Sequence, residues 1–145
     1  MINYHSNMQN FHLIKVLIII QFLILIIQFI LGMWLNLFAT FNPPVFHPGM
    51  MMFYPFFQNS VLMAHMMVGM FLILLSLLII IFSIINADLI SFFISIINII
   101  TLLVAAFSGM FFVMGNFTNN VLSYLMSLGF IGTVITDFVI LAYIK

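Results

Sequence analysis

The sequence predicts an all-α membrane protein, an up-down-up-down bundle of four transmembrane helices built as two repeated hairpins. Three observations carry this. Hydrophobic residues fill 67% of the 145 positions and charged residues 3%, against about a quarter charged in an ordinary soluble domain. The apolar residues fall into four runs, each long enough to cross a ~30 Å hydrocarbon core as a helix of about 20 residues. Two of the three connections are short, which makes the helices they join antiparallel neighbours. Unbroken apolar character also excludes a β-barrel, whose strands alternate every second residue.

The same composition excludes several functions. So little polar surface cannot cover a water-soluble fold, and the chain is too hydrophobic for disorder. Two Lys and no Arg cannot neutralise a nucleic-acid backbone. Without cysteine there is no disulfide, thiolate or iron–sulfur chemistry. The four charges are Lys15, Asp88, Asp137 and Lys145, and glutamate is absent.

The first run extends from about Leu13 to Phe38. At roughly 24 apolar residues it is too long for a signal peptide and lacks a small-residue cleavage site, so it reads as a retained span. The second runs from about Ser60 to Ile85, the third from about Leu89 to Met114, and the fourth from about Asn120 to Ile144. Four spans put both termini on one side. Lys15 and Lys145 flank spans there, which makes that side cytoplasmic and the location a cell membrane crossed four times. Around Asn86-Ala87-Asp88 the inner connection is a tight turn, with Asp88 as N-cap of the third span. An outer loop over 39–59 contains FNPPVFHPGMMMFYPFFQN.

The outer ends of the helices repeat. Leu31-Gly32-Met33-Trp34 in the first span matches Ser108-Gly109-Met110-Phe111 in the third. The second span opens Val61-Leu62 with Met66 and Gly69 following; the fourth opens Val121-Leu122 with Met126 and Gly129 at the same spacing. This favours two hairpins of one design. Gly32, His65, Gly109 and Met126 all fall about six residues inside the outer boundary, ~9 Å by the helical rise. Facing glycines would open space for a flat group, with His65 and Met126 approaching it from opposite sides. That arrangement suits a b-type haem with His65 and Met126 as axial ligands to the iron.

Gln28-x-x-x-Gly32, a proline-containing outer loop (Pro43, Pro44, Pro48), His65 just inside the second span and Gly109 in the third resemble one four-helix half of haem A synthase, in its single-unit archaeal form. The resemblance implies haem held between the second and fourth helices. The chain departs from that family's pattern. Its fourth span has no histidine: Leu125 stands opposite His65 in the repeat, and Met126 opposite Met66. The first loop has no acidic residue and there is no cysteine pair. What the resemblance then implies is a non-catalytic haem carrier or electron-transfer subunit of a respiratory complex.

Simpler readings stand beside this one. A neutral intramembrane histidine also serves as a hydrogen bond between helices. Met126 is one of 13 methionines, the usual filler of irregular cores. Glycines on a helix face more often permit close packing than clear a cofactor.

A second polar layer takes one residue from each span: Gln21, Ser76, Asn98 and Asp137, about eight or nine residues from the inner boundary. An ionised Asp137 is costly there, so it is protonated or hydrogen-bonded, with Asn98 or Gln21 as partner. The functional readings are a proton relay or the headgroup site of a quinone-binding anchor; the structural one is an interhelical clasp. In the outer loop, His47, Met50, Met51, Met52 and Tyr54 are soft ligands of the kind copper(I) takes. Phe46, Phe53, Tyr54, Phe56 and Phe57 read more simply as an aromatic belt. His5 and His12 read as interfacial. No nucleophile–base pair, phosphate loop or carboxylate pair can be assembled, so hydrolytic catalysis is not expected. Two functions therefore stand: a small haem b cytochrome-like subunit, and a cofactor-free accessory subunit whose apolar exterior meets lipid and partner helices.

Overall fold

The structure is a computed structural model, and it describes residues 4–39, 59–86, 88–115 and 117–144. Up to residue 11 only the backbone is described. The outer-loop copper and belt residues, Lys145 and the side chain of His5 lie outside these residues.

Four helices run up-down-up-down: α1 Tyr4–Phe38, α2 Ser60–Ile85, α3 Leu89–Met114 and α4 Asn120–Tyr143. All four are long and apolar enough to cross a membrane. The start of α1 and the end of α4 lie at one end of the bundle, here the terminal end; the other is the loop end. The first helix begins at Tyr4, well before its apolar run. The segment YHSNMQNFH contains neither Pro nor Gly, so nothing stops the helix from continuing backwards past Leu13.

The other three helices start at an Asn or Asp whose side chain takes up first-turn amides. Asn59 Oδ1 accepts from the backbone N–H of Val61 (2.9 Å) and Leu62 (3.3 Å). Asp88 Oδ1 accepts from Ile90 and Ser91, and Ser91 Oγ donates to Oδ2 at 2.6 Å. Asn119 Oδ1 accepts from Val121 at 3.0 Å. Each cap meets a backbone donor that the helix itself leaves open. Between α3 and α4 the chain turns through Phe117 at φ 60. Its N–H donates to Phe112 O, and its ring packs edge-on against Phe112.

The interior is as polar as it is apolar. Buried apolar residues form a terminal-end group (Ile14, Ile18, Ile79, Ile140, Ile144), a middle group (Leu25, Leu72, Leu102) and a loop-end pair (Leu62, Val113). Alongside them, ten polar residues are buried among the described residues, from Gln21 to Asp137. Large apolar side chains such as Leu23, Met70, Phe93 and Ile135 point outward. This is the distribution expected where the surroundings are hydrocarbon, and helices associate through packing and hydrogen bonds.

Helices α3 and α4 approach most closely. A Cβ on Gly129 would lie 2.6 Å from Thr101 O and 2.7 Å from Ala105 N, and one on Gly132 would lie 2.7 Å from Thr101 Cγ2. Only glycine permits that backbone approach. The α1–α4 seam is closed by Phe22 against Phe138 and Phe29 against Phe130.

Two polar layers as the candidate functional site

At the loop end, the repeat seen in the sequence has a geometric counterpart. His65 lies over Gly32, its Cε1 3.2 Å from where a Cβ would be. In the second hairpin Met126 Sδ lies over Gly109 at the same 3.2 Å. Gln28 Nε2 covers Gly69 at 3.3 Å, and the corresponding Ala105 meets Gly129. Gln28 and Ala105 occupy matching positions of the repeat, whereas Met126 stands one position beyond the counterpart of His65.

His65 and Gln28 are joined through their Nε2 atoms at 3.1 Å. The Nδ1 of His65 and the Oε1 of Gln28 are enclosed and have no partner. With the Gln28 amide donating, the ring proton sits on Nδ1. Turning the amide end for end places Oε1 on the Nε2–H and leaves Nδ1 with a free lone pair.

This geometry does not fit a haem clamped between the two glycines. The Cβ positions of Gly32 and Gly109 are met by His65 and Met126 themselves, so the two glycines do not stand clear. Ligation through Nε2 would displace Gln28, and ligation through Nδ1 requires the turned amide. Among the described residues, no three His, Cys, Asp or Glu converge as a metal site.

The terminal-end layer brings all four of its sequence-predicted members together. Gln21 Nε2 donates to Asn98 Oδ1 (2.9 Å) and to Asp137 Oδ1 (3.2 Å). Ser76 Oγ donates to Asn98 Oδ1 at 2.7 Å. Asn98 Nδ2 donates to Asp137 Oδ1 and to Thr136 Oγ1, both at 2.8 Å, and to Thr133 O at 3.3 Å. Asn98 is the hub, tying all four helices. These side chains face one another at 0–2% exposure for Gln21, Ser76, Asn98 and Asp137. They line no opening to lipid of the kind a quinone headgroup would enter. Two acceptors are left over: Gln21 Oε1 and Asp137 Oδ2 have no partner.

Several participants were not singled out in the sequence. Thr133 and Thr136 extend the cluster, Thr101 Oγ1 bonds Thr133 Oγ1 at 3.1 Å, and Ser83 meets Ser95 at 3.4 Å. Their signal was spacing: Gly129, Gly132, Thr133 and Thr136 recur at three and four residues, as do Ser91, Ser95 and Asn98, each set marking one helix face.

No family model, curated protein or solved structure matches the chain. The likeness to haem A synthase therefore rests on the quoted residues alone.

Proposed function

We propose that this chain is a lipid-embedded helical subunit, without catalysis of its own, that packs against the helices of a larger membrane complex. The observation that carries this reading is the open flank of α1. From Ile26 to Phe38 no residue of α1 is buried, the longest such stretch within any one helix among the described residues. Phe29, Ile30, Met33, Trp34, Leu37 and Phe38 are all more than two-fifths exposed there. Aromatic and methionine side chains are enriched at the buried centres of protein interfaces. The polar groups, in contrast, turn inward and are spent largely on one another. We assign the chain to the cell membrane with both termini cytoplasmic, on the flanking positions of Lys15 and Lys145. Extraction in a mild detergent followed by native electrophoresis tests the assembly. The chain is expected to migrate with other membrane chains; migration as a single chain would contradict the proposal.

A second reading, a haem b subunit for electron transfer or haem handling in a respiratory complex, draws on one observation: the enclosed, unpartnered Nδ1 of His65. Its discriminating measurement is a reduced-minus-oxidised spectrum of the purified protein. An α-band lost in His65→Ala supports it; no α-band in the wild-type chain removes it.

A further inference from the structure

The terminal-end cluster holds more acceptors than donors, and the imbalance has a specific location. Both hydrogens of the Gln21 amide are spent, on Asn98 Oδ1 and Asp137 Oδ1. The Asn98 amide is shared among Asp137, Thr136 and Thr133. Ser76 donates to Asn98, and Thr136 to the backbone of its own helix. What remains is Asp137 Oδ2 and Gln21 Oε1, the outer atoms of two groups already in contact and both fully buried. A buried acceptor without a donor is costly, and two in one cluster more so.

The charge is equally uncompensated. Each element packed against Asp137 offers a neutral group: Gln21 from α1, Ser76 from α2, Asn98 from α3, and Thr133 and Thr136 on α4 itself. The hydrogen-bond partners of the carboxylate are two amides, and neither carries positive charge. Lys15 lies on α1 nearer the terminal end and is not a partner of either carboxylate oxygen.

We propose that this cluster is a binding site for one proton, carried on Asp137 Oδ2 and donated to Gln21 Oε1. Binding forms one O–H bond from the carboxylate and one proton, and no other bond changes. It removes the charge and satisfies both leftover acceptors at once. An alkali cation would compensate the charge as well, but it would leave the carboxyl unprotonated, which the exchange of sodium below distinguishes. The chain therefore stores an acid at the centre of its bundle, with Gln21 holding the proton in place.

The sequence makes the test unusually clean, because Asp88 and Asp137 are the only side-chain carboxyls. The probe is the infrared C=O stretch of a protonated carboxyl, read on the whole protein in lipid at neutral pH. Carbon-13 aspartate labelling should shift one such band, and Asp88→Asn should leave it in place. Asp137→Asn should abolish it, and Gln21→Leu should move it upward through loss of the acceptor. Replacing sodium by choline should change nothing. A protein without a carbon-13-sensitive band, a band surviving Asp137→Asn, or one that sodium removes would each overturn the proposal. The labelling result stands even if Asp137→Asn fails to fold.

Discussion

The two hairpins share one register and fill it differently. In the second, Gly109 is likewise covered by a side-chain tip, Met126 Sδ, but Gly129 lies against backbone, Thr101 O and Ala105 N, and there the helices touch with almost nothing between them. In the first, the glycines are covered by the tips of side chains, His65 over Gly32 and Gln28 over Gly69. The second hairpin also owns Asn98, Asp137, Thr133 and Thr136, the centre of the four-helix hydrogen-bond cluster. The first contributes Gln21 and Ser76 to it and keeps two enclosed polar atoms unpaired at its own loop end. The same layout thus yields one hairpin held rigidly by backbone approach and another joined by movable polar tips. In a bilayer, where apolar burial drives little association between helices, that difference sets where the fold is anchored and where it can adapt.

The largest effect is expected at the hub. Asn98→Leu removes donors from Asp137, Thr136 and Thr133 and the acceptor of Gln21 and Ser76. It should cost roughly 2–3 kcal/mol, several interhelical hydrogen bonds together with newly unpaired groups. Unfolding by increasing dodecyl sulfate fraction measures it, and a loss under about 0.5 kcal/mol would make the cluster incidental.

The glycines provide the next contrast. Gly129→Ala drives a methyl into backbone atoms and should destabilise by about 2 kcal/mol. Gly32→Ala meets only the edge of an imidazole that can turn aside, and should stay within about 0.5 kcal/mol. Equal effects in the same unfolding assay would erase the distinction between the hairpins. Smaller still is the Gln28–His65 bond, whose double-mutant coupling should be about 0.6 kcal/mol. A coupling several times larger would make that pair a second anchor.

The architecture was legible because apolar runs and Asn or Asp caps are local signals. Asp88 marks one helix start by the chemistry of the first turn, and the structure shows Asn59 and Asn119 capping two others in the same way. The early start of α1 at Tyr4 was not, since a polar segment without breakers gives no mark of where a helix begins. Depth counting placed Gln21, Ser76, Asn98 and Asp137 in one layer because a helix rises evenly. It could not say which way Gly32 and Gly109 faced, and there the structure departs from the expected open slot. Rotation about each helix axis depends on the neighbours: His65 and Met126 come to rest on the glycines rather than leaving them clear. Thr133 and Thr136 escaped notice for a related reason, since a hydroxyl reads as polar filler until a buried amide is seen to reach it.

The open flank of α1 is the feature on which the proposed role rests. It is tested most directly by a photo-reactive residue placed at Trp34 in native membranes, with Phe107 on α3 as an exposed aromatic position in the second hairpin for comparison. A discrete adduct between this chain and another membrane chain is expected from Trp34, and lipid adducts alone from Phe107. Lipid adducts alone from both positions would contradict it.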